Sequence, residues 1–437
     1  MVVFMKMTVI GAGYVGMSTA LCFAHTGHKT ILLENDPERY AKLKSGYCPF
    51  YEPKAQEWLN ELLETEMIAV TNSPASAITF GDVIWIAVNT PADIDGTFDL
   101  SALESVIEDI LKYRKQDVTV VIKSTVATGT CRRLLRLIKN QHTSYKICLV
   151  FNPEFLREGH AIKDFMNPNR VIVGTESGDA SSSINEAYES LGIESSRIIS
   201  TNYENAEVTK QASNSFLAIK LTYINELANY CRRVSADIHM VTFCMGLDER
   251  IAAGYMEPGI GYGGACLPKD TSALATDASR NRTPLTVLEQ AISANEKQII
   301  NAAEIICKHM KFGSVLTVWG ISFKPESGDL RCSPAWKILN ILVEKHYYHI
   351  RVYDPYIKSD SLEMISLPNN VKVCNSMNES IDNADGLAIL TAHNQFSEID
   401  LKTIKTQMRG QNIFDFFDFY TDESVKSAKL KRITKTD

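Results

Sequence analysis

Short continuous apolar runs alternate with helix-length segments through roughly the first half of the chain. Apolar runs without polar alternation are typical of parallel strands that helices cover on both faces of a sheet. The pattern therefore predicts an α/β domain over residues 1–202, built on a doubly wound parallel sheet. The runs lie at 7–10, 30–33, 83–88, 118–123, 147–151 and 170–174.

The next segment, from Tyr203 to Arg233, contains neither glycine nor proline. Its apolar residues recur at helical spacing, which predicts one helix of about 30 residues. We therefore predict a central helical domain over 203–300 and a second parallel-sheet domain over 301–437. The strand-like runs of this second domain lie at 314–319, 349–353, 387–390 and 412–416.

Composition narrows the classes of partner. Hydrophobic residues make up 45% of the 437 positions, charged residues make up 22%, and the net charge is −7. Because this composition gives no large positive electrostatic potential, we expect no nucleic-acid partner. No apolar stretch approaches the roughly 20 residues that span a bilayer, so we expect no membrane partner. Basic residues concentrate after Asp422 with little apolar content, which predicts a solvated, frayed end.

The ten cysteines include no CxxC pair and no Cys/His cluster of zinc-ligand spacing. This usage predicts no metal site, and it indicates reduced thiols of the kind found in a cytoplasmic protein.

A glycine motif follows the first predicted strand as "GAGYVG" at 11–16. In a dinucleotide-binding unit the first glycine permits a tight turn, the second lets a pyrophosphate approach, and the third lets helix and strand pack closely. Glu34 ends the second strand, where an acid binds ribose hydroxyls and repels a 2′-phosphate, so the sequence favours NAD over NADP. Arg39 is placed to contact either cofactor. The alternative is a glycine turn without a ligand.

The predicted central helix carries Lys210, Asn214 and Asn225 within one arc of its surface. A solvent-facing polar stripe is the alternative interpretation. The loop "GIGYGGACLPKD" at 259–270 then places Cys266 among glycines and beside a Lys-Asp pair. A buried structural cysteine usually lies in an apolar setting, so this thiol is a candidate for reactivity.

Two further loops carry polar chemistry. "KSTVATGT" at 123–130 ends a strand in hydroxyl residues, and the loop at 151–174 adds Glu154 and Glu158. In the second sheet domain Gly320 follows a strand without the glycine motif, and Lys324 and Arg331 flank the turn. Cations at the carboxyl end of a strand predict a phosphate ligand other than the dinucleotide.

These residues resemble the UDP-glucose/GDP-mannose dehydrogenase family over nearly the whole chain. The resemblance implies two Rossmann-like domains joined by a long central helix, one for NAD and one for a UDP-sugar, with the helix forming a homodimer. It implies an NAD-dependent four-electron oxidation of a nucleotide sugar, with UDP-glucose favoured, through a thiohemiacetal and a thioester on the cysteine. The motifs are "GAGYVG" at 11–16, "STVATGT" at 124–130, "NPEFLREGHAIKDFMNPNRVIVG" at 152–174, "AEVTKQASN" at 206–214, "GIGYGGACLPKD" at 259–270 and "GISFKPESGDLR" at 320–331.

Carried over by motif, the resemblance assigns three sets of residues. The catalytic set is Cys266, Lys210, Asn214, Asp270, Glu158, Glu154 and Thr125. The cofactor set is Gly11, Gly13, Tyr14, Val15, Gly16, Glu34, Arg39, Thr90, Thr125, Glu158 and Arg331. The substrate set is Phe155, Leu156, Lys210, Asn214, Arg250, Tyr255, Gly263 and Lys324, with Arg250 expected to cross the dimer interface.

The chain departs from the family pattern at "EPK" at 52–54, at Leu267 and at "SGD" at 327–329. Leu267 is similar to the residue of GDP-mannose enzymes, so GDP-mannose and other nucleotide sugars stay open as substrates. A single-oxidation dehydrogenase needs no nucleophile, and a non-catalytic NAD or nucleotide-sugar binding protein needs no cluster of thiol, amine and acid. These are the alternatives of other classes.

Overall fold

A computed structural model describes residues 4–93, 95–179, 181–346, 348–357 and 367–434. The chain forms two compact units, Met1–Ser213 with Ala273–Thr283, and Asn214–Ser272 with Pro284–Asp437. The division falls inside the central segment, so the three domains with the bounds given above stay a prediction.

The first unit alternates strands and helices as the apolar pattern predicts. Its elements are β1 Lys6–Ile10, α1 Tyr14–His25, β2 Lys29–Leu33, α2 Pro37–Lys44, α3 Ala55–Glu64, β3 Ile68–Thr71, α4 Pro74–Phe80, β4 Val83–Ile86, α5 Ser101–Tyr113, β5 Val118–Ile122, α6 Thr130–Asn140, β6 Ile147–Phe151, α7 Ala161–Met166, β7 Val171–Thr175, α8 Ser182–Glu189 and β8 Ile198–Asn202.

Within the described residues the sheet of this unit has the order β3-β2-β1-β4-β5-β6-β7-β8. The first six of these strands run parallel, and β7 pairs antiparallel with β6 through Phe151 and Gly174. The pattern predicted a parallel sheet and did not show this reversal of β7 and β8. Buried apolar clusters cover both faces of the sheet, as expected of a doubly wound fold.

Four helices follow the first sheet. They are α9 Tyr203–Val234, α10 Ile238–Gly246, α11 Leu267–Arg280 and α12 Thr286–His309. The helix α9 spans 32 residues, which confirms the long helix predicted from the absence of glycine and proline. Its Lys210, Asn214 and Asn225 are each less than 10% exposed, so the solvent-facing interpretation of that stripe is wrong.

The second unit builds its own parallel sheet. Its remaining elements are β9 Val315–Trp319, α13 Pro334–His346, β10 His349–Tyr353, β11 Val371–Val373, α14 Met377–Ile381, β12 Gly386–Ile389, α15 Leu401–Gln407, β13 Asn412–Asp415, α16 Asp422–Ser427 and β14 Lys431–Ile433. In the described residues the strand order is β11-β10-β9-β12-β13-β14, and every pair is parallel. This order repeats that of the first six strands of the other sheet, which confirms two Rossmann-like sheets.

The frayed end predicted after Asp422 is wrong for residues 422–434, whereas Lys435 and the two residues after it lie outside the described residues. The strand β14 pairs with β13, and Val425, Leu430 and Ile433 are buried against the sheet. Arg432 forms ion pairs with Asp418 and with Asp422. A few apolar side chains at the right spacing therefore outweigh the basic composition, because pairing at a sheet edge satisfies the backbone.

In the part of the chain that the structure describes, no helix is long and apolar enough to cross a membrane. The cytoplasmic location stays a prediction.

Candidate active site

The turn after β1 shows why two of its glycines are needed for packing. Gly11 has φ +95°, and a Cβ there would lie 2.7 Å from the carbonyl oxygen of Ala87. A Cβ on Gly16 would lie 1.8 Å from the carbonyl oxygen of Gly11. Side chains at either position would collide with backbone, so these glycines are required whether or not a ligand is bound.

Gly13 behaves differently. Around a Cβ built on Gly13, no heavy atom lies within 4 Å among the described residues beyond Gly13, its chain neighbours and the adjoining helix backbone. Gly13 is the N-cap of α1, and within the described residues no side chain caps that helix end. An open backbone approach at an uncapped helix N-terminus is the arrangement that receives a pyrophosphate, so these residues fit a dinucleotide.

Glu34 holds this turn from the neighbouring strand. Its carboxylate accepts hydrogen bonds from the backbone N–H of Ala12 at 3.1 Å and of Asp36 at 2.8 Å, and it forms an ion pair with Arg39 at 3.2 Å. Glu34 is 6% exposed and lines a cavity together with Gly11, Gly13 and Arg39. The acid thus braces the turn and also faces the space where a ribose would lie.

Four more of the predicted cofactor residues follow strands β1, β4 and β5 of the first sheet. Tyr14 opens α1 and stacks on Phe50 with ring centroids 4.0 Å apart, and Val15 follows it. The hydroxyl of Thr90 donates to the carbonyl of Thr125 at 2.7 Å, which ties the loops after β4 and β5 together. The cavity is also lined by Asn89, Ser105 and Asp109, which the sequence did not single out.

A buried ion pair lies at the start of the central helix. The Nζ of Lys210 on α9 lies 2.8 Å from Oε1 of Glu154, and the two side chains are 2% and 9% exposed. Burial raises the pKa of Glu154, but Lys210, the N–H of Leu156 and the charge of Lys123 outweigh it, so the pKa of Glu154 lies below its usual range. Glu154 is therefore held as a carboxylate beside an ammonium.

Sequence reasoning missed Lys123, a second amine behind this pair. It is buried at the end of β5, and its Nζ donates to Oδ1 of Asn152 at 2.9 Å and to the hydroxyl of Tyr188 at 3.3 Å. Burial, together with the charge of Lys210, lowers the pKa of Lys123 to about 7, against the opposing attraction of Glu154. A lysine directly after a strand of mostly apolar residues was the available signal.

The same helix also holds the Thr125 loop. Gln211 donates to the carbonyl of Val126 at 2.6 Å, and the carboxylate of Glu207 accepts from the N–H of Gly129 at 2.6 Å. Thr125 itself is buried. The loop is therefore fixed by side chains one turn of α9 apart, on either side of Lys210.

The predicted substrate residues of this unit surround the ion pair. The guanidinium of Arg170 lies 3.9 Å from the ring centroid of Phe155, and the Nζ of Lys210 lies 5.3 Å from the same centroid. Leu156 and Glu158 follow in the same loop and are half-buried. The structure thus brings Glu154, Phe155, Leu156 and Lys210 together.

In the second unit, Asn214 and Asp270 form a buried pair. The Nδ2 of Asn214 donates to Oδ2 of Asp270 at 2.6 Å, and Lys269 lies 3.1 Å from the other carboxylate oxygen. The N–H of Asp270 donates to the carbonyl of Cys266 at 2.9 Å, which makes Cys266 the N-cap of α11. Cys266 is exposed, so a solvent-accessible thiol precedes a helix of 14 residues.

The glycines before Cys266 pack closely against their neighbours. Gly264 has φ +86°, and a Cβ there would lie 2.7 Å from the ring of Phe323. A Cβ on Gly263 would lie 2.3 Å from the carbonyl oxygen of Cys332. The Oδ1 of Asn225 accepts from the N–H of Gly259 at 2.7 Å. The loop is therefore closely packed, although a glycine-rich composition by itself indicates a flexible loop.

The predicted sugar-nucleotide residues of the second unit lie on two loops. The side chain of Arg250 is 89% exposed and forms an ion pair with Asp248 at 2.6 Å. Tyr255 has φ +60°, and Lys220 donates to three carbonyls of the loop before it, those of Ile251, Ala252 and Gly254.

Lys324 lies on the other loop, which follows β9. Arg331, predicted for the cofactor, lies farther along the same loop and is paired with Asp329.

Three family models match the chain. They are the NAD binding domain, the central domain and the UDP binding domain of the UDP-glucose/GDP-mannose dehydrogenase family, over residues 5–192, 204–297 and 317–422. The chain belongs to this family. It is therefore an NAD-dependent oxidoreductase, and the turn after β1 lies within the match to the NAD binding domain.

Relatives and solved structures agree with this membership. The chain is 34% identical to UDP-glucose 6-dehydrogenase TuaD of Bacillus subtilis, over 97% of this chain and 91% of the relative. It is 33% identical to UDP-glucose 6-dehydrogenase of Pseudomonas aeruginosa, over 95% and 94%. A UDP-glucose dehydrogenase of Pyrobaculum islandicum superposes with a TM-score of 0.89 at 28% identity, over 100% and 98%. A UDP-D-ManNAc dehydrogenase of Pyrococcus horikoshii superposes with a TM-score of 0.85 at 26% identity, over 96% of each chain.

The open space at Gly13 generates a prediction. Gly13→Ala should fold with a melting temperature within about 2 °C of wild type, because the new methyl meets no atom of the described protein. It should bind NAD at least tenfold more weakly, since the methyl occupies the pyrophosphate approach. Calorimetric titration with NAD and thermal melts measure the two effects. Gly16→Ala is the contrast, because its methyl meets backbone and should destabilise the fold itself.

The buried ion pair generates a second prediction. Glu154→Gln should lower the free energy of unfolding by about 3 kcal/mol at pH 7, because Lys210 is left buried without its counter-charge. The double variant Glu154→Gln with Lys210→Met should recover part of this loss in urea unfolding. Asp164→Asn is the control, since its partner Arg157 is half exposed and the pair contributes about 1 kcal/mol or less.

The pH dependence follows from the lowered pKa of Glu154. The stabilisation is complete above the unfolded pKa of about 4.3 and is lost as pH falls through the folded value. The difference between wild type and Glu154→Gln should therefore shrink below about pH 4. A difference that is constant with pH would contradict the ionised state assigned to Glu154.

Proposed function

We propose that the protein oxidises UDP-glucose to UDP-glucuronate by two successive hydride transfers to NAD, with Cys266 carrying the intermediate. The observation that supports this most is the exposed Cys266 thiol at the N-cap of α11, four residues before the buried carboxylate of Asp270. Backbone N–H groups at a helix N-terminus favour the thiolate over the thiol, and the thiolate is the nucleophile.

The first oxidation removes a proton and a hydride from the C6 alcohol. Asp270 takes the proton through a water molecule, and Asn214 holds the carboxylate in place. The ammonium of Lys210, with Asn214, stabilises the negative charge that develops on the C6 oxygen. NAD, when bound, accepts the hydride. Burial of Lys210 and of Asp270 strengthens both interactions, because little water competes with them.

The aldehyde keeps one hydrogen on C6, but that hydrogen can leave as hydride only after a nucleophile has made the carbon tetrahedral. The Cys266 thiolate adds to the aldehyde, and the thiohemiacetal that forms is oxidised to a thioester by loss of its hydride. Water then cleaves the thioester to the carboxylate and the free thiol. Glu154 is favoured as the base for this step because it is ionised and contacts Lys210, and Glu158 and Thr125 position the water.

The same proposal assigns the ligand contacts. NAD is held by Gly11, Gly13, Tyr14, Val15, Gly16, Glu34, Arg39, Thr90, Thr125, Glu158 and Arg331. The sugar nucleotide is held by Phe155, Leu156, Lys210, Asn214, Arg250, Tyr255, Gly263 and Lys324. All of the proposed NAD contacts except Arg331 lie within the match to the NAD binding domain, whereas the proposed sugar-nucleotide contacts are distributed over all three matches.

UDP-glucose is favoured because the two relatives described above, at 33–34% identity, are UDP-glucose 6-dehydrogenases. The second candidate is another nucleotide sugar, since Leu267 is similar to GDP-mannose enzymes and one structural neighbour is a UDP-D-ManNAc dehydrogenase. A non-catalytic binding protein is disfavoured by the clustered acid, amide and thiol of the α11 N-terminus.

We also propose that the protein is a homodimer formed through α9 and α10. Phe216, Tyr223 and Tyr230 recur every seven residues on α9 and are each more than half exposed. Seven-residue spacing places them on one face of the helix. Met240 and Phe243 add exposed apolar surface on the next helix, α10. A second copy is the occupant because an isologous contact covers such a face on both chains at once.

The substrate and the electron count are tested together. The purified protein should turn over UDP-glucose in preference to UDP-galactose, UDP-N-acetylglucosamine and GDP-mannose, and should form two NADH for each UDP-glucose. Absorbance of NADH and mass spectrometry of the sugar product supply both measurements. One NADH per UDP-glucose would contradict the two-step oxidation. Turnover of GDP-mannose alone would show that GDP-mannose is the substrate.

The dimer is tested by charge. Phe216→Glu combined with Phe243→Glu should give a monomer of about 49 kDa in light scattering, because two carboxylates per chain would have to be buried. Phe312→Glu is the control, since Phe312 is 78% exposed outside α9 and α10 and should leave the wild-type mass unchanged. A wild-type mass near 49 kDa would refute the dimer.

A further inference from the structure

A buried histidine and aspartate flank the loop that follows β9. The loop leaves the carboxyl end of β9 at Trp319, in the middle of the second sheet. Asp354 follows the neighbouring strand β10, and His393 follows the strand β12 on the other side. Both side chains are 0% exposed, and they lie 3.3 Å apart from Nε2 to Oδ2. Sequence reasoning singled out neither residue.

Asp354 holds the start of this loop. Its Oδ2 accepts from the backbone N–H of Ile321 at 2.8 Å and of Ser322 at 3.2 Å. Burial raises the pKa of Asp354, but its hydrogen bonds with His393 and with backbone N–H groups outweigh this effect, so its pKa is lowered. The loop therefore begins on a charged acceptor.

His393 holds the end of the loop. Its Nδ1 accepts from the backbone N–H of Glu326 at 3.1 Å, so Nε2 carries the hydrogen and points at Asp354. Nε2 also lies 3.1 Å from the hydroxyl of Ser322, which donates to the carbonyl of Lys324.

The held end is a strained one. Glu326 has φ +58°, a left-handed conformation that a residue with a side chain rarely adopts. Its carboxylate accepts from the N–H of Asn394 at 3.1 Å and from the hydroxyl of Tyr356. A strained conformation persists where surrounding contacts hold the residue in place. For Glu326 these contacts come from His393, Asn394 and Tyr356.

Two side chains on the held loop connect it to the proposed reaction. Lys324 is the cation proposed for the sugar nucleotide. The ring of Phe323 lies under Gly264, whose Cβ would approach it to 2.7 Å, two residues before Cys266. One small loop thus carries a substrate cation and supports the backbone before the nucleophile.

We propose that the His393 and Asp354 pair is the positioning device for residues 321–326, and that it sets the affinity for the UDP portion of the substrate and the placement of the Cys266 loop. This inference rests on the proposed function. Neither residue contacts substrate; both act through the backbone of the loop.

Two variants separate the two ends of the histidine. His393→Asn keeps an acceptor near Nδ1 for the N–H of Glu326 and loses the contact with Asp354. His393→Gln keeps a donor near Nε2 for Asp354 and loses the contact with Glu326. Each should weaken the binding of UDP, measured by calorimetry, by about tenfold or more, while NAD affinity changes less than twofold. Ser322→Ala removes only the bridging hydroxyl and should give a smaller loss in the same direction.

His309→Gln is the matched control, because His309 ends α12 and its Nδ1 bonds to the carbonyl of Ile305, away from the loop. The rate of carbamidomethylation of Cys266 by iodoacetamide, followed by peptide mass spectrometry, is the second measurement. It should change at least threefold in both His393 variants and stay at the wild-type value in His309→Gln.

The outcomes are distinct from those of the function itself. UDP is the probe, so the binding test holds whichever UDP-sugar the enzyme oxidises, and failure of UDP-glucose turnover by wild type would count only against the proposed reaction. UDP affinity within twofold of wild type in folded His393→Asn and His393→Gln would overturn the positioning role. Equal loss of UDP and NAD affinity would also overturn it, since that result indicates general destabilisation.

Discussion

Each unit depends on a buried carboxylate that closes the turn after its first strand. Glu34 accepts the N–H of Ala12 in the first unit, and Asp354 accepts those of Ile321 and Ser322 in the second. A turn at the carboxyl end of a strand leaves backbone donors without ladder partners. A carboxylate on the adjacent strand satisfies them without covering the space above the sheet.

Strand register places both acids. Ile10 pairs with Leu33, so the residue after Leu33 lies beside the turn that starts at Gly11. Trp319 pairs with Tyr353, so Asp354 lies beside the turn that starts at Gly320 in the same way. The two turns therefore share one backbone arrangement and present different surfaces. The first turn presents bare backbone at Gly13, and the second presents Lys324 on a loop whose ends are held by Asp354 and His393.

The apolar pattern predicted much of the fold because continuous buried strands and a helix free of glycine and proline leave a local signature. The apolar pattern did not predict the strands β3, β8, β11 and β14, because each is short or carries polar and half-exposed residues. The last of these was assigned to a frayed end on its basic composition. Its burial depends on pairing with β13, which is a contact that composition does not record.

The residues of the candidate site also divide into those with a local sequence signal and those without one. Motifs located the glycines, Glu34, Lys210 and Cys266, because each lies in a spacing that its chemistry requires. Lys123, Lys220 and His393 were missed. Their partners Asn152, Ala252 and Glu326 lie 29, 32 and 67 residues away in sequence, and only the fold brings them together. The N-cap position of Cys266 was not predicted either, because the sequence of a glycine-rich loop does not indicate where the next helix begins.

The central proposal is that Cys266 is the nucleophile of the second oxidation. A rapid-quench experiment on Cys266→Ser tests this proposal most directly. The variant, in excess over UDP-glucose and saturated with NAD, is quenched into hydroxylamine, and the sugar products are identified by mass spectrometry, with Cys332→Ser as the exposed-thiol control. The account predicts that the aldehyde is trapped as its oxime and that carboxylate forms about a thousandfold more slowly than in wild type. Carboxylate formation at the wild-type rate in Cys266→Ser would contradict it.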